Sequence, residues 1–226
     1  MSENAITRSR RCGLKDIYMA KVTKNDENAY TAETPIKFAR AINANITDNY
    51  SSETIYSEDG TEEVLTQYTG TDVELEVNTL APQDRALVWN RLYQNGFLVE
   101  SAEDEPAELA LGYRTRQLNG KYEFVWFYCG KFNKGQSETY KTIEDKKNTQ
   151  TSSLTASFYE RKKADKIMVD NAAQEKHLFR IRVDESNIAA DATQAAEAIK
   201  KWFSAVQEYN AVETQAATKA AAAATK

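Results

Sequence analysis

The segment Thr71-Asp72-Val73-Glu74-Leu75-Glu76-Val77 constrains this chain more than any other. Val73, Leu75 and Val77 alternate without a break with Asp72, Glu74 and Glu76. Only a strand, whose side chains point to opposite faces with a period of two, sorts these residues into a dry side and a wet side. The chain must therefore build a sheet with one buried and one solvated face. Edge strands more often carry Lys than runs of carboxylates. Three like charges on one face repel, so the surroundings of that face must favour negative charge.

Other segments read mostly as strands. Gly13 to Val22 predicts a first strand, closed by a turn at Asn25-Asp26-Glu27-Asn28. Pro35 to Ala44, Ala107 to Arg116, Tyr122 to Cys129 and Leu154 to Phe158 follow the same logic. The Tyr122 to Cys129 segment is apolar on both faces, which predicts burial on both sides or cover by a neighbouring subunit. Pro82-Gln83-Asp84-Arg85 opens a helix, with Leu87, Val88 and Leu92 on its apolar stripe and Asn95-Gly96 as its stop. Ala189 to Gln207 carries a second helical pattern. Two polar connections, Asp48 to Tyr68 and Lys134 to Ser153, are long enough to be arms that touch another molecule.

Composition excludes much chemistry. The chain has 226 residues, 41% hydrophobic and 28% charged, as a folded globular protein has. Two cysteines, Cys12 and Cys129, exclude a disulfide framework and a four-thiolate metal site. The single histidine, His177, excludes a two-histidine metal site. There is no phosphate loop, nucleophile elbow or paired Cys-x-x-Cys. Asp72, Glu74 and Glu76 share one face and flank no cleft, so they do not form a glycosidase pair. The acids around Glu58-Asp59-Gly60 lack calcium-loop spacing. The reading is of a non-enzyme without metal or cofactor. Arg8, Arg10 and Arg11 precede no apolar run, which argues against a secretory leader. No segment reaches the length of a spanning helix, so no membrane partner is expected.

The formal net charge of −5 conceals a division along the chain. Residues 48–108 hold 15 acids and two bases, and residues 109–182 hold 15 bases and eight acids. One domain with an acidic and a basic face satisfies that pattern. So does a self-associating subunit whose opposite patches meet on neighbouring copies.

Taken in order, several segments resemble the major tail proteins of long-tailed, non-contractile bacteriophages, the phi13-type group. They are Gly13 to Val22, Ser57 to Gly60, Tyr68 to Thr71, Pro82 to Arg85, Val125 to Phe132, Thr151 to Ser157, and Trp202-Phe203 with Val206. The likeness spans residues 12–208. It implies a mainly β fold, a tail-tube-type β-sandwich or barrel with one flanking α-helix, plus a C-terminal helical segment. The corresponding divisions are an N-terminal arm (1–11), a tube β domain (12–183), a helical segment (184–210) and an alanine-rich tail (211–226). The resemblance further implies hexameric rings stacked into a hollow virion tail tube, assembled in the host bacterial cytoplasm. Its partners would be a tape measure protein and the tail terminator and distal tail proteins. DNA would pass through the lumen without specific binding.

On this reading Asp72, Glu74 and Glu76 face the lumen, where carboxylates repel phosphates. The Asp48 to Tyr68 connection, with Glu53, Tyr56, Glu58, Asp59, Glu62 and Glu63, is an inter-ring loop. Lys146, Lys147, Arg161, Lys162 and Lys163 are candidates for the basic surface that receives it. A tube protein of a contractile tail or secretion apparatus shares the fold, and a β-sandwich adhesin module shares the strand pattern. These remain alternatives.

Overall fold

A computed structural model describes residues 6–57, 60–135, 142, 150–169, 172–189 and 192–209. The chain runs β1 (Arg11–Asn25), β2 (Tyr30–Ala32), β3 (Ile36–Lys37), β4 (Ala41–Ser57), β5 (Gly60–Val77), α1 (Pro82–Trp89), β6 (Leu92–Gln94) and β7 (Phe97–Val99). It continues through β8 (Leu109–Gln117), β9 (Tyr122–Phe132), β10 (Ser152–Tyr159), β11 (Ala164–Val169), β12 (Ala172–His177), β13 (Arg180–Asp184), a 3₁₀ turn at Glu185–Asn187, and α2 (Thr193–Lys200). The fold is mainly β, with large antiparallel sheets. Two compact units are formed. One comprises Met1–Phe38, Glu108–Cys129 and Glu160–Lys226; the other comprises Ala39–Ala107 and Gly130–Tyr159.

In the first unit β1 pairs with β8 on one side and with β2 and β3 on the other, all antiparallel. β9 follows β8, and β13 pairs with β9 from Arg180↔Phe127 to Asp184↔Glu123. Asp26 closes the turn after β1 by accepting the backbone N–H groups of Asn28 and Ala29 at 2.9 and 2.8 Å. Every residue of β9 from Phe124 to Cys129 is buried, as its two-sided apolar pattern requires. Its even-numbered side chains meet the C-terminal segment. The Phe124 and Trp202 rings lie 5.6 Å apart, and Trp126 Nε1–H donates to the Trp202 carbonyl at 3.0 Å. The Tyr128 hydroxyl donates to the Gln207 carbonyl at 3.1 Å, and Tyr18 stacks on Phe203 at 4.3 Å.

That layer shortens the expected C-terminal helix. α2 ends at Lys200, and turns carry the chain onward. Trp202 is 1% exposed and gives its carbonyl to Trp126, so a tertiary bond takes the place of the next helical one.

In the second unit β5 lies between β10 and β4. The expected Asp48 to Tyr68 loop is instead most of a hairpin: β4 and β5 pair from Ala41↔Val77 out to Ser57↔Gly60. Tyr50, Ile55, Val64, Leu65 and Tyr68 favour extended backbone, but both faces of this stretch are wet, so no apolar stripe announces the strands. The expected Pro35 to Ala44 strand is broken into the two residues of β3 and the start of β4. Most of Lys134 to Ser153 lies outside the described residues.

The first helix is also shorter than its stripe suggested. Pro82 opens it and Asp84 accepts the Ala81 N–H at 3.1 Å, but Asn90 ends it in the left-handed region at φ 54°. Leu92 therefore belongs to β6. Asn95 (φ 51°) and Gly96 (φ 83°) form the two-residue turn to β7, the backbone pair a type I′ hairpin demands. Val88 and Trp89 are buried, and Trp89 Nε1–H donates to the Asn133 carbonyl at 2.9 Å. Three strands, β11, β12 and β13, are absent from the expected set, although β13 alternates Ile181 and Val183 with Arg180, Arg182 and Asp184 and carries a period-two signal of its own. Among the described residues no helix is long and apolar enough to cross a membrane.

Gly112 on β8 leaves room for the Trp126 indole: a Cβ there would lie 2.6 Å from three of its ring atoms. Gly112→Ala is expected to destabilise the protein by about 1–3 kcal/mol through overpacking. Urea denaturation followed by tryptophan fluorescence measures it, and an unchanged midpoint would contradict the packing described.

Candidate functional site

The period-two sorting of β5 is realised. Val73, Leu75 and Val77 are at most 2% exposed, while Asp72 and Glu74 face solvent and Glu76 is half-buried. Register identifies the neighbours of each acid. Thr47, Asn45 and Asn43 of β4 stand opposite Asp72, Glu74 and Glu76, and Ser157, Thr155 and Ser153 of β10 stand opposite them on the other side. All six are neutral, whereas an acid on a sheet is stabilised by a base across the strand. Adjacent carboxylates on one strand, about 7 Å apart, repel by roughly half a kcal/mol in water before salt screening.

The neutral neighbours fix the carboxylates without cancelling them. Asp72 accepts from Asn49 Nδ2 at 2.7 Å and Ser157 Oγ at 3.0 Å. Glu74 accepts from Asn45 Nδ2 at 3.3 Å, and Glu76 from Thr151 Oγ1 at 2.7 Å. The face is thus negative, ordered and polar throughout. It can repel anions or meet cations.

The same hairpin continues as a two-stranded arm. From Tyr50↔Tyr68 to Ser57↔Gly60 it is about eight residues, or about 27 Å, long. Residues 51–55 and 63–67 are exposed on both faces. A register shift between Asn49 and Tyr50 leaves Thr69 unpaired, a bulge of the kind that sharpens local twist and re-aims the strands beyond it. Past the bulge, Glu53, Ile55, Glu63 and Leu65 continue the carboxylate side, and Tyr50, Thr54, Val64 and Tyr68 continue the other. Tyr50 and Val64 are each 56% exposed. The Tyr50 and Tyr68 rings meet edge to face at 5.6 Å, and Tyr68 Oη lies 2.8 Å from Thr71 Oγ1, which donates to Asp48 at 2.6 Å. The outer edge of β4 pairs with no described strand, and β4 contains no Lys, Arg or Pro to blunt it.

The expected inter-ring residues therefore sit on a paired hairpin. Glu53 and Glu63 are exposed on it; Tyr56 pairs with Thr61 in its backbone ladder, Glu62 lies in β5 at the register shift between Ile55 and Tyr56, and Glu58 and Asp59 lie outside the described residues.

The expected basic surface changes more. Lys146 and Lys147 lie outside the described residues. Arg161 is not a surface residue: it is fully buried, with Nε and Nη2 on Asp165 at 2.9 and 2.5 Å and Nη1 3.1 Å from Glu208. Its guanidinium stacks over Tyr128 at 4.2 Å and Tyr30 at 5.1 Å. Lys163 is half-buried and binds Glu208 at 2.7 Å; Lys162 alone of these three is exposed. The physical reason is that Arg161 ties the end of the chain to the first unit through Glu208, a connection no local pattern signals. His177 ends β12, its Nδ1 3.2 Å from the Arg161 carbonyl. Cys129 is buried, and burial together with the neighbouring Glu108 carboxyl pushes its thiol well above the ordinary range.

No protein-family model matches the chain, and no curated protein matches it.

Two outcomes check this description. Arg161→Ala should cost about 3–5 kcal/mol, because it strips buried Asp165 of both guanidinium bonds and leaves it only Lys163, 3.7 Å away. In the native protein one thiol per chain, that of exposed Cys12, should react with a disulfide reagent, and Cys129 should follow only on denaturation. Two fast-reacting thiols in the native protein would contradict the burial of β9.

Proposed function

We propose that the chain is a self-assembling tube subunit, of the kind that forms the tail tube of long-tailed, non-contractile bacteriophages. The observation that carries this reading is the β4–β5 hairpin. Its base presents a row of carboxylates that no described residue neutralises, and its outer half is exposed on both faces with Tyr50, Ile55, Val64 and Leu65 uncovered. A two-stranded ribbon wet on both sides is marginally stable alone in water. It becomes sensible when a second copy covers it. The open edge of β4 supports the same conclusion, since pairing between copies removes an edge that otherwise invites uncontrolled association.

In the assembly we infer, six copies close into a ring and rings stack, with the Asp72, Glu74 and Glu76 face turned to the channel. Carboxylates there would keep DNA phosphates from adhering during passage, and Asn and Ser neighbours add no cation to hold them. A tape measure protein would occupy the channel before DNA, and terminator and distal tail proteins would close the ends. No catalytic step is assigned.

The test is electron microscopy of the purified chain at rising concentration, where rings or tubes are expected. A variant lacking residues 51–67, with Tyr50 and Tyr68 joined by Asn-Gly, keeps the paired base of the hairpin. It should stay folded, by circular dichroism and melting, and form no tubes. Tubes of normal length from that variant would refute the role of the arm. Once tubes are in hand, changing Asp72, Glu74 and Glu76 together to Lys should make them retain duplex DNA at low salt, where wild-type tubes do not.

A further inference from the structure

Arg161 and Lys163 are held in internal pairs, which leaves Lys162 alone exposed among the described residues of the expected basic surface, and the first unit supplies another cationic surface. Residues 6–10 are pinned beside the β8–β9 turn and the 3₁₀ turn. The Thr7 N–H donates to Asn187 Oδ1 at 2.8 Å, and Asn187 Nδ2 donates back to the Thr7 carbonyl at 3.0 Å. The Leu118 N–H donates to the Arg10 carbonyl at 2.9 Å, and the Asn119 N–H to Ser9 Oγ at 3.2 Å. This fixed backbone holds Arg8, Arg10 and Arg11 in solvent.

Behind them Glu123, whose side chain is 8% exposed, accepts Arg11 Nε and Nη2 at 2.5 and 3.0 Å and Arg182 Nε at 3.1 Å. The other nearby acids are directed inward. Asp184 accepts from Gln117 Nε2 at 2.9 Å, Ser186 N–H at 2.9 Å and Asn187 Nδ2 at 2.5 Å; these bonds hold its carboxyl below the usual range although burial opposes them. Glu185 accepts the Tyr122 N–H at 2.9 Å. The carboxylates of this corner are spent on the fold, and its guanidinium groups stay at the surface. The result is an ordered cationic patch.

We propose that this arginine patch is the receiving surface for the acidic hairpin arm of a second copy, Glu53 and Glu63 meeting Arg8 and Arg10. The inference rests on the self-assembly reading and names its partner surface. Arginine forks bind carboxylates in a bidentate way, and the Arg11–Glu123 pair shows that geometry within the same patch. A nucleic acid is the less suited anion. The chain carries a net charge of −5, and with no phosphate loop or wide basic stripe it would neutralise few phosphates. Arm and patch are different surfaces of one chain, so the contact is heterologous and each copy both gives and receives.

Two variants test it. Arg8→Ala/Arg10→Ala removes the patch and keeps the arm; Glu53→Gln/Glu63→Gln removes the arm's charge and keeps the patch. None of these four side chains lies in the packed core. Each variant alone should need at least tenfold higher concentration to assemble than wild type. Mixed, the arm of the first can seat on the patch of the second but cannot propagate, so sedimentation should show a one-to-one heterodimer. If wild type forms tubes and the patch variant assembles at the same concentration as wild type, the docking inference fails and the tube reading stands. If the heterodimer forms but wild type yields neither rings nor tubes, the tube reading fails and the docking stands. Binding of a short DNA duplex by wild type that the patch variant loses, with assembly unaffected, would make the patch a phosphate site and overturn the proposal.

Discussion

The register of β5 against β4 and β10 is the constraint on which the second unit depends. Because side chains alternate strictly, a slip of one residue would bury Asp72, Glu74 and Glu76 and expose Val73, Leu75 and Val77. Burying even one unpaired carboxylate costs several kcal/mol, more than the repulsion among the three at the surface. The strand therefore tolerates a row of like charges because the alternative registers are far worse. The six neutral neighbours then keep the row negative, since a single Lys on β4 or β10 would cancel part of it. Charge and register are two statements of one sequence pattern.

The first unit is held differently, by closing its chain end over an aromatic strand. Phe124, Trp126 and Tyr128 of β9 would present three large rings to water if the C-terminal segment were absent. Trp202, Phe203 and Gln207 cover them through ring contacts and two hydrogen bonds to main-chain carbonyls. Arg161 secures the last of these residues: its buried charge is acceptable only because Asp165, Glu208 and two tyrosine faces surround it. This explains why a residue that looked like a surface cation is a structural one. A buried guanidinium with two carboxylate partners has no strength left for a docking surface.

Legibility in the sequence followed how local each cause was. The β5 alternation, the two-sided apolar run of β9, the Asp26 turn and the Pro82 helix start were all readable, because each depends on residues within a few positions. The arm was not, since Asn49 to Thr69 mixes polar and apolar residues on both wet sides and offers no period to detect, although Tyr50, Tyr56 and Tyr68 favour strands. Asn95-Gly96 was ambiguous for a physical reason: the same left-handed backbone ends a helix or turns a hairpin, and only Asn90, already left-handed, decides which. Arg161 with Glu208, and Thr7 with Asn187, join residues 47 and 180 positions apart in sequence; nothing in either segment announces the other. The arginines at 8, 10 and 11 were visible as a cluster, but their fixed placement required that long-range pair.

In the assembly proposed above, an arm that gives and a patch that receives would set opposing electrostatic terms. Docking Glu53 and Glu63 against arginines is attractive and weakens as salt screens it, with a Debye length near 8 Å at physiological ionic strength. Gathering the Asp72, Glu74 and Glu76 faces of several copies around one channel is repulsive, and salt relieves it. The exposed apolar residues of the arm, Tyr50 and Val64 on one side and Ile55 and Leu65 on the other, would contribute a burial term that salt does not weaken. Orientation would then come from charge, because a cationic patch accepts the side that carries Glu53 and Glu63, and cohesion from the apolar residues. A chain with both charges spread evenly would have neither the channel face nor a preferred way to meet its neighbour. The division of −5 into an acidic hairpin and a basic first unit is what would allow one sequence, in the proposed assembly, to hold anions away at one surface and to gather them at another.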